Sequence, residues 1–263
     1  EKTMATVINT NMASLYAQNN LSTAQSNLAT SVQRLSSGVR INSAKDDSAG
    51  LAISMGMSSQ IYGIDQANRN LSDVIGMSQV AETALSTIQD MLLRMKTLGT
   101  EYGNNALSAD QKQAITTEAQ SIKDQVDLTI KEAVYNGVNL LDTSGATSYD
   151  IQSGVDVTTT ISFTVANATV DTTATDFSVV DADLLRISNE RAKMGALVGR
   201  ATYSSQNLMA QSANIQSARS AIVDTDFASE TARLTKGQIM QQAATAMLAQ
   251  ANQMPNVILS LLK

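Results

Sequence analysis

Apolar residues recur at every seventh position in the last third of the chain. The series consists of Ile187, Met194, Ala201, Leu208, Ile215 and Ile222. Because seven residues make almost two turns of an α-helix, the series keeps one narrow apolar seam on one face of a helix. A seam sustained over this length is typical of helices that pack in a coiled coil. The series therefore predicts a long helix after Asp181.

The composition extends this prediction to most of the chain. Hydrophobic residues make up 43% of the 263 residues, but aromatic residues make up 3%, and there is 1 Pro. The apolar surfaces therefore consist of Ala, Leu, Ile, Val and Met, which suit thin seams between helices. Since proline interrupts helices and is almost absent, long helices are expected.

The apolar pattern delimits four further helices. Residues 7–35, 48–102 and 109–134 have apolar positions at helical spacing, and a last helix follows a short acidic break. Ser108 and Gln111 resemble a capping box at the start of the third segment. The stripes of the first and last helices consist of Ile8, Leu15, Leu21, Leu28 and Leu35, and of Ile239, Ala243, Met247, Ala251, Met254, Ile258 and Leu261.

The middle of the chain has a different period. From Val157 to Val165, apolar residues alternate with Thr and Ser, which is typical of a half-buried β-strand. Asn136 and Gly137 form a dipeptide that favours a tight turn. Residues 138–181 are therefore predicted to be a short β-rich insertion.

Both terminal helices are amphipathic, and no neighbouring segment in the sequence covers their stripes. Because the chain turns back at the β insertion, we expect these helices to pair in antiparallel orientation. The predicted fold is mainly α, a long antiparallel helical hairpin or coiled-coil bundle with a short β-hairpin insertion. The pattern leaves two alternatives open, a soluble monomeric bundle and a chain that associates with its own copies through exposed apolar surface.

The absence of certain residue types excludes most kinds of site. The chain has 0 His, 0 Cys and 0 Trp, so it lacks Ser-His and Cys-His nucleophiles, the usual zinc ligands and disulfides. Its 18 Lys and Arg against 24 Asp and Glu give a net charge of −6, which argues against nucleic acid as a partner. No apolar run reaches the ~20 residues that span a membrane. We expect no enzyme activity, no cofactor, no metal and no membrane partner.

Several blocks of the sequence closely resemble bacterial flagellin. They are residues 4–11, 34–53, 136–141, 217–228 and 248–253. The block at 34–53 reads RLSSGVRINSAKDDSAGLAI, which is far more specific than helical composition would produce by chance. The resemblance extends over essentially the whole chain apart from the β insertion and the first three residues.

The resemblance implies a structural subunit that polymerises into the extracellular flagellar filament for swimming motility. It implies an inner core domain at residues 1–35 and 226–263, a spoke at 36–47, and an outer core domain at 48–137 and 182–225 with the insertion at 138–181. It also implies export of the unfolded chain by a type III apparatus and assembly through the terminal helices. The implied partners are other copies of the chain, hook-associated junction and cap proteins, and an export chaperone at the C-terminal helix.

The resemblance also implies assembly residues in the terminal helices and in the spoke. In the helices they are Ile8, Leu15, Leu21, Leu28, Leu35, Met247, Ala251, Met254, Ile258 and Leu261. In the spoke, Arg40, Lys45, Asp46 and Asp47 are expected to form ion pairs between subunits. The alternative for these four residues is a solvated, capped turn.

Three further residues lie where the family contacts the flagellin-sensing Toll-like receptor of vertebrates, namely Arg94, Leu98 and Glu118. Arg94 and Leu98 are four residues apart and share a helix face. Leu93 and Thr97 depart from the recognised pattern, in which polar or acidic side chains are typical. The alternative is that Leu98 packs in a helix seam and Arg94 is an ordinary surface charge.

Two rival functions are compatible with this scaffold. A hook–filament junction protein resembles flagellin at its ends, but the blocks at 34–53 and 217–228 favour flagellin. A surface receptor for glycans would need its site on the β insertion, where the aromatic residues are Tyr149, Phe163 and Phe177. We therefore rank both rivals below the filament subunit.

Overall fold

The computed structural model describes residues 10–141, 148–155 and 158–261, with side chains as far as Gln253. The elements in chain order are α1 (Met12–Ser37), α2 (Ser48–Tyr102), α3 (Ala109–Glu132), β1 (Val134–Tyr135), β2 (Val138–Asn139), β3 (Ser148–Gln152), β4 (Thr160–Thr164), α4 (Val180–Val223) and α5 (Phe227–Leu261). The described residues are mainly helical with two small strand pairs, which confirms the predicted fold class.

The chain divides into two compact units. The terminal unit consists of Glu1–Ser58 and Gln216–Lys263, and the middle unit consists of Ser59–Ile215. The terminal unit thus brings the two ends of the chain together, as the amphipathic terminal helices predict.

Helices α2 and α3 begin where the sequence predicts. Asp47 Oδ1 accepts a hydrogen bond from Gly50 N at 2.9 Å, which satisfies one of the free N–H groups in the first turn of α2. At the start of α3, Ser108 Oγ accepts from Gln111 N, and Gln111 Oε1 accepts from Ser108 N at 2.8 Å. The predicted capping box is therefore confirmed.

The core of the middle unit is formed mainly by α2, α3 and α4. Its buried residues on α2 include Ile64, Leu71, Leu85, Ile88 and Met95, and those on α3 include Val126 and Ile130. From the heptad series of α4, the core contains Ile187, Met194, Ala201 and Leu208, with Ile215 packed against it. The seam predicted for α4 is therefore confirmed in this unit.

A tight hairpin follows α3. Asn136 and Gly137 have positive φ angles of 49° and 81°, which a type I′ turn requires at both central positions. The turn joins β1 and β2 as predicted. Asn139 Nδ2 donates a hydrogen bond to the carbonyl of Ile130 at 3.0 Å, so the hairpin also satisfies a free carbonyl at the end of α3.

Strands β3 and β4 form an antiparallel pair in which Tyr149 lies opposite Phe163. Ile161 and Phe163 are buried, whereas the Thr and Ser residues of β4 are exposed. This alternation confirms the predicted half-buried strand for the described residues. Val157, at the start of the predicted strand, lies outside the described residues.

After β4 the chain continues as an extended segment in which every second residue is buried. These residues are Ala166, Ala168, Val170, Thr172 and Ala174. Asp183 is fully buried in the first turn of α4 and accepts hydrogen bonds from Thr172 N and Thr172 Oγ1, at 2.9 and 2.6 Å. It also accepts one from Asp171 N at 3.0 Å. The carboxylate of Asp183 thus links the extended segment to α4 by hydrogen bonds.

Replacing Leu208 by Asp is expected to destabilise the middle unit by about 3 kcal/mol, because it puts an unpaired charge into the seam. Leu208 is 8% exposed, whereas its neighbour Met209 is 59% exposed. Met209→Asp therefore serves as a matched control and should have little effect. Thermal unfolding followed by circular dichroism measures the stability of both variants. An equal loss of stability in the two would mean that the seam lies on another face of α4.

Candidate functional site

Helices α1 and α5 pack against each other along a regular seam in the terminal unit. The residues of α1 that are buried or half-buried at alternating steps of three and four are Ser14, Ala17, Leu21, Ala24, Leu28, Ser31 and Leu35. Those of α5 are Glu230, Leu234, Gly237, Gln241, Ala244, Leu248 and Ala251. Such spacing on both partners is the pattern of a coiled-coil contact.

Small residues let the two helices approach closely. A Cβ atom added at Gly237 would lie 3.3 Å from Leu28 Cδ1 and 3.7 Å from Leu28 Cα. The backbone of α5 therefore lies almost against that of α1 at this position. For the same reason, Ala and Ser occupy the buried positions of α1, and Gly237, Ala244 and Ala251 are buried on α5.

Polar contacts set the orientation of the pair. Near one end, Asn11 Nδ2 donates to the carbonyl of Ala251 at 2.7 Å. Further along α1, Ser31 Oγ donates to Glu230 Oε1 at 2.5 Å, and both residues are buried. Because residue numbers rise on α1 while they fall on α5, the helices are antiparallel. The predicted pairing of the chain ends is therefore confirmed.

The seam contains only some of the predicted assembly residues. Leu21, Leu28 and Leu35 on α1 and Ala251 on α5 belong to it. Leu15 is instead 58% exposed. Ile8 and the side chains of Met254, Ile258 and Leu261 lie outside the described residues.

Most of the described residues in the stripe predicted for α5 lie outside the seam. Met247 is 65% exposed, and Ile239 is exposed as well. Helix α5 has Ala, Leu and Met on several faces, so large apolar side chains do not mark the face that meets α1. The true marker is the series Glu230, Gly237, Ala244 and Ala251, in which one small or charged residue recurs every seven positions.

The segment after α1 pairs with the segment between α4 and α5. Gly38 ends α1 in the left-handed conformation, with φ 73°. Arg40 N then donates to the carbonyl of Val223 at 2.6 Å, and Thr225 N donates to the carbonyl of Gly38 at 3.0 Å. The connector predicted at residues 36–47 is therefore ordered by backbone contacts within the terminal unit.

The charged connector residues mainly bind backbone within the same chain. Asp46 Oδ2 accepts hydrogen bonds from Asn42 N, Ser43 N and Ser43 Oγ at 3.0 to 3.2 Å. The Ser43 hydroxyl is the largest cause that lowers the pKa of Asp46, followed by the two N–H groups. Arg40 Nη2 donates to the carbonyl of Ile222 at 2.5 Å. These contacts have the form of a capped turn, and ion pairs of these residues with other subunits stay a prediction.

The predicted receptor residues occupy different environments. Arg94 donates through Nε and Nη2 to Glu118 Oε1 at 2.9 and 2.6 Å, and both side chains are about half exposed. Leu98 is 1% exposed and packs with Ile115 and Ala119. The burial of Leu98 fits the alternative that it packs in a helix seam, because four-residue spacing from Arg94 gives a shared helix face but not the depth of the side chain.

Comparison with known proteins covers nearly the whole chain. Residues 8–146 match the bacterial flagellin N-terminal helical region, and residues 177–262 match the bacterial flagellin C-terminal helical region. Flagellin FlaB1 of Treponema pallidum is 32% identical over 98% of this chain and 100% of that protein. The flagellin of Halalkalibacterium halodurans is 34% identical over 98% of this chain and 100% of that protein. The flagellin of Bacillus subtilis is 34% identical over 97% of this chain and 99% of that protein.

The chain belongs to the bacterial flagellin family. It is a structural subunit of the extracellular flagellar filament, where it polymerises with other flagellin subunits, and it is not an enzyme. Nothing in these comparisons favours a junction protein or a glycan receptor. Within the residues that the structure describes, no helix is both long and apolar enough to cross a membrane.

The carboxylate of Asp46 is expected to make the order of this flagellin's connector pH-dependent. Because the folded-state pKa lies below that of the unfolded chain, the carboxylate stabilises the connector above about pH 4. That contribution is lost as the pH falls through the lowered pKa. Amide exchange at Asn42 and Ser43, corrected for intrinsic rates, should show constant protection from neutral pH to about pH 4 and less protection below it. The Asp46→Asn variant should lack this step, and an identical profile for both proteins would contradict the assignment.

Proposed function

We propose that this flagellin assembles through the α1·α5 pair and that neighbouring copies cover the apolar side chains which the pair leaves exposed. Contiguous exposed apolar surface on a soluble protein is typical of an interaction site. On α1 and α5 the large exposed apolar residues are Met12, Leu15, Tyr16, Val32, Phe227, Ile239, Met240 and Met247. The exposed stripe residues Ile239 and Met247 of α5 thereby acquire a role in contacts between subunits.

The proposal includes the domain organisation that the sequence predicts. Residues 1–35 and 226–263 would form the inner core domain, residues 36–47 the spoke, and residues 48–137 and 182–225 the outer core domain, with the insertion at 138–181. The long stretches of small and polar residues in α1 and α5 support export of this part as an unfolded chain. They offer little apolar area for a pair of helices to fold alone.

The further partners act at the same end of the chain. Exposed Ile239, Met240 and Met247 on α5 give an export chaperone an apolar helix face to cover before assembly. Hook-associated junction and cap proteins would meet the terminal helices at the two ends of the filament. Both kinds of contact use surface that another flagellin covers inside the filament.

Replacing Met247 by Asp tests whether the exposed stripe is covered in the filament. In the free chain the substitution lies on the surface, so the free energy of unfolding should stay within about 0.5 kcal/mol of that of the unmodified protein. In a filament it would bury a charge without a partner, so growth should stop or need much higher protein concentration. Gln238, exposed on the opposite side of α5 from Met247, gives the control Gln238→Asp.

Sedimentation and electron microscopy of seeded protein measure both variants. Filaments of Met247→Asp that form as readily as those of the unmodified chain would refute the role of this stripe.

We also propose that the exposed Arg94–Glu118 pair contacts the flagellin-sensing Toll-like receptor. The pair presents a guanidinium and a carboxylate on adjacent helices, and such groups form directional contacts with polar partners. The apolar side chain beside it at the surface is Leu93 rather than Leu98, since Leu93 is exposed and Leu98 is buried.

Replacing Arg94 by Ala is expected to weaken receptor activation by the monomer about fivefold or more, as for a central interface arginine. Lys96→Ala is the control, because Lys96 is similarly exposed on α2 and pairs with Asp181. A titration on reporter cells compares the two. A silent unmodified monomer, or equal activity of both variants, would exclude this contact.

A further inference from the structure

Charged residues are confined to one place on the α1·α5 pair. In the sequence of α1 the charged residue is Arg34, and in that of α5 the charged residues are Glu230, Arg233 and Lys236. The remaining positions of both helices are Asn, Gln, Ser, Thr and apolar residues. The four charged residues meet where Ser31 of α1 contacts Glu230 of α5.

These residues line a groove between the two helices, which we call the cationic groove. It has a volume of about 490 Å³ and is lined by Arg34, Glu230, Arg233, Lys236 and Met240 together with small and polar residues of α1. Its three cations face one carboxylate. A groove with this excess of positive charge attracts anionic groups.

The one carboxylate is already engaged by its own chain. Glu230 is 4% exposed, and its Oε1 accepts the hydrogen bond from Ser31. Its Oε2 lies 3.3 Å from Arg233 Nη1 and 4.0 Å from Arg34 Nη1. The negative charge of this one buried carboxylate therefore neutralises only part of the positive charge of the two guanidinium groups.

The cations keep unused capacity to bind an anion. Arg34 Nε is buried and has no hydrogen-bond partner among the described residues. Arg233 remains 61% exposed despite its contact with Glu230. Lys236 is exposed, and none of the ion pairs in the described part of the chain includes it. Unpaired donors in a partly enclosed groove are costly, so an added acceptor there is favourable.

The surroundings of the groove in a filament are other copies of this acidic chain. Residues 59–215 contain 10 Lys and Arg against 18 Asp and Glu, whereas the rest of the chain contains 8 against 6. Met240, at the groove, is also one of the exposed apolar residues that neighbouring copies are proposed to cover. In the proposed assembly, a neighbouring subunit that covers Met240 lies at the edge of the groove, and its residues 59–215 supply an excess of carboxylates.

We infer that the cationic groove receives a carboxylate from a neighbouring copy of this chain in the filament. The carboxylate pairs with Lys236 and Arg233 at the rim, above Arg34. The inference rests on the proposed assembly through α1 and α5 and adds to it a charged contact of defined position. It makes filament growth sensitive to salt, because contacts between exposed charges are screened.

A zero-length carbodiimide cross-link tests the contact directly. Unlabelled and ¹⁵N-labelled chains are polymerised together, cross-linked and digested, and the linked peptides are identified by mass spectrometry. The inference expects Lys236 to be joined to an Asp or Glu peptide of the other isotope label. Links of Lys236 that occur only within one label, for example to Glu230, would overturn it.

Two substitutions at Lys236 test the energetic role. Lys236→Arg keeps the charge and should polymerise like the unmodified chain, although it cannot form the amide cross-link. Lys236→Gln should raise the critical concentration about twofold to fivefold at low salt, and the difference should shrink as salt is added. Equal critical concentrations for the Arg and Gln variants at low salt would overturn the inference.

These outcomes separate the inference from the proposed assembly. Normal filaments with no mixed-label link at Lys236 would overturn the charged contact alone. Failure of the unmodified chain to form filaments would overturn both.

Discussion

The close approach of α1 and α5 is the constraint on which the terminal unit depends. It is possible because Ala17, Ala24 and Ser31 face a side of α5 that has Gly237, Ala244 and Ala251. Small side chains bury little apolar area, and each methyl or methylene group contributes only about 0.8 kcal/mol. The seam of the middle unit, built from Leu, Ile and Met, is stronger for its length. The seam of the terminal pair is therefore the weaker of the two.

Glu230 gives this weak seam a defined register. The series on both helices repeats every seven residues, so a slip of one heptad would again place small residues opposite each other. It would also move Glu230 away from Ser31 to a position opposite Ala24 or Gly38, where it loses its hydrogen bond with the Ser31 hydroxyl. A buried carboxylate without its partners is costly, and single buried polar groups are known to fix the register of coiled coils.

The sequence predicts the helices and turns well because their signals are local. The heptads of α4, the capping box at Ser108 and the Asn136–Gly137 turn each depend on residues a few positions apart. The seam of α5 could not be chosen in this way, since apolar residues occupy several of its faces and only the partner helix decides between them. The burial of Leu98 could not be predicted for the same reason, because it depends on packing against α3. Nor could the contact between Asp183 and Thr172, which joins a helix to an extended segment.

The antiparallel pairing of the chain ends also has a kinetic consequence. The contact between Asn11 and Ala251 joins residues 240 positions apart, and that between Ser31 and Glu230 joins residues 199 apart. The turn at Asn136 and the cap at Ser108 instead close over a few residues. Contacts of high sequence separation form slowly, because the entropy of closing a long loop is lost before the contact is gained. The terminal helices are thus the last part to pair when a subunit folds, and their seam-forming faces stay available until the intervening chain has become compact.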